Sequence, residues 1–177
     1  MAAGQVAEHH YQALRLDIPV DEPFTDFRRR YEEAVPPYDR DAYHALVARQ
    51  APWSDVLDLA RRQAPYNFLI YWSSGDVQPL MRLAGDSGHC VEYLMGNHTT
   101  AERMFRHDPA IMLYAPLRTA ITSNDDGSGT RFHIEKPSHA FASFSRDDIT
   151  PVGVELDHEV AALLSHLGAP VPAALAG

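Results

Sequence analysis

Between Gln12 and Val20, apolar Leu14, Leu16, Ile18 and Val20 alternate with polar Arg15 and Asp17. A period of two puts alternate side chains on opposite faces, so this stretch reads as a half-buried strand. Asp21-Glu22-Pro23 then opens a helix, with an acidic cap and a proline in the first turn. Phe24, Phe27 and Tyr31 share one face of it, and the Arg28–Glu33 charge run is its solvated side. Pro36-Pro37 stops the helix. Two short helices follow, one capped by Asp39 or Asp41 with Tyr43, Leu46 and Val47 sharing a face, one after Pro52 with Trp53, Val56, Leu57 and Ala60 sharing a face.

Phe68-Leu-Ile-Tyr-Trp72 is a continuous apolar run, the pattern of a strand buried on both faces. Ser73-Ser-Gly-Asp76 has turn chemistry, and Cys90–Met95 alternates as a strand with Val91, Tyr93 and Met95 on one side. Thr99-x-x-Glu102 is a capping box, placing a helix there with Ala101, Met104 and Phe105 inward. Residues 115–123 and 130–136 are two strands joined by the turn-rich Asn124–Gly129, hence a hairpin. Val152, Leu156, Val160, Leu163 and Leu167 form the stripe of a last helix that Gly168 ends. The fold class is α+β: a two-layer sandwich, a mixed or antiparallel sheet with helices packed on one face. One domain spans residues 1–177, with 1–9 and 169–177 loose.

A symmetric hairpin loop sets Ile121 opposite Phe132 and Thr119 opposite Ile134 on an apolar face. The other face then carries Thr122 opposite Arg131, Ala120 opposite His133, and Arg118 opposite Glu135. This gathers an arginine, a carboxylate and an imidazole. Covered by a partner subunit or by the chain itself, the face becomes a pocket with Tyr93, Tyr114 and Trp72 among its aromatic walls. His133 and Glu135, with His98, are the candidate acid-base groups. Arg118 is the candidate for holding an anionic oxygen, and Tyr93, Tyr114 and Trp72 are candidates for contacting substrate.

The net charge of −9 argues against nucleic-acid and anionic-membrane partners, which call for a basic face. No apolar run is long enough to span a bilayer, and the first residues lack a signal-peptide pattern, so the expected compartment is the cytoplasm. A single cysteine, Cys90, excludes an internal disulfide. The chain has no glycine-rich phosphate loop, no His-Glu-x-x-His and no Gly-x-Ser-x-Gly. Lys136 is the sole lysine among 15 basic residues. At a strand end before Pro137 it reads as exposed and protonated, unsuited to Schiff-base chemistry. The ten histidines are scattered, although His133-x-Glu135 with His139 makes a metal site conceivable.

The stretch Tyr93-Leu-Met-Gly-Asn-His-Thr-Thr-Ala-Glu-Arg-Met-Phe-Arg-His-Asp-Pro-Ala-Ile-Met-Leu-Tyr-Ala-Pro-Leu-Arg118 resembles the signature of the domain of unknown function 302 family. Gly129-Thr-Arg-Phe132, Lys136-Pro-Ser138 and Glu155-Leu-Asp157 are similar to it as well, and the resemblance covers residues 67–167. It implies an α+β fold and a homodimer, but no reaction. Family members read Gly-Asn-Pro where this chain has Gly96-Asn97-His98, so an acid-base group replaces a rigid turn residue beside a helix N-terminus. The reading taken forward is a small-molecule-binding protein. It acts without a cofactor as an isomerase-, cyclase- or lyase-type acid-base enzyme on a small apolar metabolite. By analogy its setting is bacterial specialised metabolism. The alternative is a non-catalytic module that binds a ligand, a metal or haem.

Overall fold

A computed structural model describes residues 6–124 and 128–176. Residues 1–5 of the leading segment, 125–127 of the hairpin loop and Gly177 lie outside the described residues. Five strands, β1 (Arg15–Pro19), β2 (Leu69–Asp76), β3 (Cys90–Gly96), β4 (Leu117–Thr122) and β5 (Arg131–Glu135), form one sheet in the order β1-β5-β4-β3-β2. Every neighbouring pair is antiparallel. The helices are α1 (Phe24–Ala34), α2 (Arg40–Ala48), α3 (Trp53–Gln63), α4 (Gln78–Met81), α5 (His98–Phe105), α6 (Pro137–Ala142) and α7 (Thr150–His166). The fold is α+β, as the hydrophobic pattern predicts.

The hairpin register is the predicted one: Thr119 pairs with Ile134, Ala120 with His133, Ile121 with Phe132 and Thr122 with Arg131. Its apolar face joins Ile18, Val91, Tyr93 and Met95 in a core covered by Phe24, Phe27 and Tyr31 of α1 and by the Val152–Leu163 stripe of α7. Tyr31 is fully buried there, its hydroxyl 3.1 Å from Thr119 Oγ1. Burial raises its phenol pKa well above the ordinary value.

Several local expectations are corrected. The apolar run before Ser73 is not buried on both faces: β2 is an edge strand, and Trp72 is 48% exposed. The strand also continues through Ser73–Asp76, because irregular pairing absorbs the turn chemistry and Gly75 takes φ +63°. Helix α5 begins at His98, where Asn97 Oδ1 accepts from Thr99 N (2.9 Å); the Thr99 capping box is not used, and Phe105 is exposed. At α1 the N-cap is Pro23, and Glu22 instead takes an ion pair from Arg30 at 2.9 Å.

Lys136 is not exposed: its Nζ lies 3.4 Å from Oδ2 of Asp157, a residue only 1% exposed. Asp157 Oδ1 also accepts from Ser138 N in the first turn of α6 (2.9 Å). Helix α6 packs so closely on α7 that a Cβ at Gly153 would stand 2.9 Å from Phe141 Cβ and 3.1 Å from Ser138 Cα. The segment after Gly168 is not loose either, for Ala169 and Leu175 are buried in the core.

Candidate functional site

The open face of the sheet does carry the predicted polar residues, but they pair differently. His133 bonds through Nδ1 to Asp17 Oδ1 of β1 (2.6 Å) and through Nε2 to Thr122 Oγ1 (2.8 Å). The hydrogen bond with His133 holds the Asp17 carboxyl below its usual pKa. Arg118 does not pair with Glu135. Its Nε lies 2.9 Å from Glu92 Oε1 on β3, and the regular β4–β5 pairing ends one residue earlier, at Thr119 and Ile134. Glu135 is exposed, with a long 3.5 Å contact from the Tyr11 hydroxyl. Glu135→Gln is therefore expected to move the melting temperature by less than about 2 °C, as surface pairs do. Thermal unfolding checks this, and a fall above about 5 °C would mean that the carboxylate is held by something stronger.

The remaining candidates separate. Tyr93 is wholly buried on the helix-covered face, and its hydroxyl donates to Glu32 Oε1 at 2.8 Å. It does not reach a ligand on the open face. Trp72 stands exposed at the sheet edge. Arg118, Glu135 and Tyr114 do meet, around a cavity of about 470 Å³ that Lys136 and Pro116 also line. Its cations are already paired, Arg118 with Glu92 and Lys136 with Asp157. Residue His139 turns away, its Nδ1 2.9 Å from the Gln12 carbonyl oxygen. Among the described residues, no three His, Cys, Asp or Glu side chains are grouped to hold a metal ion.

On the other side of Ala115–Leu117 is a second cavity, of about 140 Å³, with walls that include Met104, Pro116, Phe141 and Leu156. His98 and Tyr71 form its polar corner. His98 reaches it because the β3–α5 turn is tight and Asn97 caps the helix, so the imidazole leaves the first helical position toward β2. Three tyrosine rings meet it edge-on: Tyr38 at 5.1 Å, Tyr43 at 5.2 Å and Tyr71 at 5.0 Å between centroids. Burial in this aromatic box lowers the His98 pKa and keeps the ring neutral at pH 7. The same burial raises the Tyr71 phenol pKa, so it stays a proton donor. Among the described residues, the hydroxyls of Tyr43 and Tyr71 are buried without a protein partner. The His98 amide is directed at the Tyr71 oxygen without meeting hydrogen-bond geometry.

A polar network fixes this corner from behind. Asn97 Nδ2 donates to Asn67 Oδ1, and Asn67 Nδ2 donates to Thr100 Oγ1 (3.0 Å) and to Glu159 Oε1 of α7. Asn67 holds a left-handed backbone, φ +62°, which asparagine tolerates better than most residues. Burial pushes the Glu159 carboxyl up to about 7. The sequence reading placed His98 but missed Tyr38, Tyr43, Asn67 and Glu159. Asn67, between Pro65 and an apolar run, carried a local turn signal. The tyrosines carried none, because only the tertiary fold brings residues 38, 43, 71 and 98 together.

The fold and cavities define a small α+β protein with helices on one face of an antiparallel sheet and a neutral histidine in an apolar recess. Residues 76–167 match the family model described as domain of unknown function DUF302, and the chain belongs to that family. It is also similar to the crystal structure of an uncharacterized conserved DUF302 protein from Bacillus stearothermophilus. The TM-score is 0.60, covering 86% of this chain and 97% of that one at 14% identity, a likeness of fold. No curated protein matches the chain. Among the described residues, no helix is long and apolar enough to cross a membrane.

Proposed function

We propose that this protein binds a small, mostly apolar molecule in the recess at His98 and acts on it by acid-base chemistry without a cofactor. The observation that supports this reading is a neutral, buried imidazole beside unpartnered phenol hydroxyls at the edge of an apolar cavity. A cavity of about 140 Å³ is close in size to the roughly 150 Å³ apolar cavity known to take up benzene, so the bound part is about one six-membered ring. A neutral imidazole is the form that accepts a proton, and a protonated phenol is the form that hydrogen-bonds an enolate oxygen. Proton transfer next to a carbonyl, the elementary step of isomerases and many cyclases and lyases, needs both.

Cyclohexanone in D₂O tests the reading, with binding followed by ligand-observed NMR and α-proton exchange by loss of the proton signal. The wild type should bind the ketone and accelerate exchange. His98→Gln should keep the binding and lose at least about 100-fold of the exchange rate, the usual share of a general base. Tyr71→Phe should lose less. Binding without exchange would make the chain a carrier, and no binding of monocyclic ketones or phenols would overturn the site.

A further inference from the structure

His98 lines two cavities. Beyond the ring-sized recess, a groove of about 500 Å³ opens between α2 and α5 and shares His98, Ala101 and Met112 with the recess. Its rim gathers large apolar side chains that water-facing helices do not need: Val47 is 76% exposed, Met112 49%, Phe105 46% and Trp53 43%. Clustered exposed apolar surface of this kind marks a binding groove more often than a plain surface. The two unpartnered phenols flank the shared histidine. Tyr71 lines the inner recess and Tyr43, itself 5% exposed, lines the outer groove. Unmet hydrogen-bonding capacity therefore sits at the junction, with apolar space on both sides of it.

We infer that the ligand is bipartite: an oxygenated ring in the recess carrying an apolar chain that lies in the α2–α5 groove. This deepens the proposed function and rests on it for the ring. The oxygen stays at the junction, within reach of His98, Tyr71 and Tyr43. The chain runs outward past Leu46 and Val47 of α2 and over Trp53 and Phe105. A compact polar metabolite would leave the groove empty and its apolar rim in water. A chain without a head would leave the two hydroxyls unmet. Residues Tyr38, Tyr43 and the groove wall on α2 and α3 lie before residue 76, outside the stretch matched by the family model. The α2 and α3 wall of the groove thus comes from the N-terminal elements, and the histidine with Ala101, Phe105 and Met112 from the stretch matched by the family model.

A series of 2-alkylcyclohexanones, from the parent ring to the octyl derivative, tests this with the intact protein. Trp53 lines the groove, so its fluorescence in a Trp72→Phe background reports occupancy. Affinity should rise about twofold to fourfold per added methylene until the groove is filled, the increment of burying CH₂ groups. Val47→Arg, at an exposed rim position that should not disturb folding, should flatten that slope and leave the affinity for cyclohexanone unchanged. A flat series in the wild type with normal ring binding would overturn the groove and leave the proposed function standing. A slope untouched by Val47→Arg would place the chains elsewhere and equally overturn it. Failure of the parent ring to bind, with long-chain probes still sensitive to Val47→Arg, would uphold the groove and overturn the ring assignment.

Discussion

Asp157→Ala should destabilise the protein by about 3–5 kcal/mol, the range for breaking a buried ion pair by removing one partner. The carboxylate is 1% exposed, lies 3.4 Å from the only lysine and accepts from Ser138 N at the start of α6. Its loss strands the Lys136 ammonium, whose side chain is 18% exposed, and uncaps the helix that packs against Gly153. For a chain of this length the melting temperature should fall by on the order of 10 °C. The double variant Asp157→Leu with Lys136→Met should recover much of the loss, because no unpaired charge remains. A cost below about 1 kcal/mol for Asp157→Ala would show that water reaches the pair and satisfies the ammonium.

Glu159 should make stability fall as pH rises toward neutrality, opposite to the trend of salt-bridged carboxylates. Its ordinary value of 4.5 is raised in the fold to about 7, chiefly by burial. Glu155 nearby pushes it further up, while the Asn67 hydrogen bond and Arg103 pull it down. Between those two values the folded chain holds a proton that the unfolded chain releases. The protonated form is therefore favoured by folding below about pH 4.5, and this advantage is lost as pH climbs through 7. The full shift corresponds to about 3 kcal/mol, and partial solvent access at the carboxyl reduces the expected effect to about 2. Glu159→Gln mimics the protonated state, so the difference in stability between wild type and variant should grow in the variant's favour from pH 5 to pH 8. Urea unfolding at several pH values measures that difference directly. A constant difference would mean that Glu159 titrates as an exposed carboxylate. Since Asn67 links Glu159 to the cap of α5, the same titration should alter how firmly His98 is held.

Burial accounts for most of what was readable in advance and most of what was not. The alternation of Val91, Tyr93 and Met95, the Phe24–Tyr31 face and the stripe of α7 follow from the period of hydrophobic residues, and each is buried where that period puts it. The hairpin register followed from loop symmetry. It could not say whom Arg118 would choose, because a central strand has neighbours on both sides, and Glu92, diagonal to it on β3, takes the pairing. The β2 run read as doubly buried because hydrophobicity does not reveal whether a strand lies at the centre or the edge of a sheet. Lys136 looked solvated for a similar reason, since its partner is Asp157. They are 21 positions apart, and only the turn at Pro137 that lays α6 on α7 closes water off from both.

The sequence by itself determined the elements, the α+β class, the hairpin register and the family, because these depend on local periodicity, turn residues and a contiguous motif. It also singled out His98, through a histidine standing where a turn proline is the family's habit. The tertiary structure alone decided what surrounds that histidine. The aromatic box draws on residues 38, 43 and 71, the backing network on 67 and 159, and the cavities on the packing of α2, α5, α6 and α7. Local chemistry sets which conformations a segment prefers. A side chain's pKa and its unmet hydrogen bonds are set by whatever the folded chain brings within a few ångströms, and for His98 those neighbours come from distant parts of the sequence.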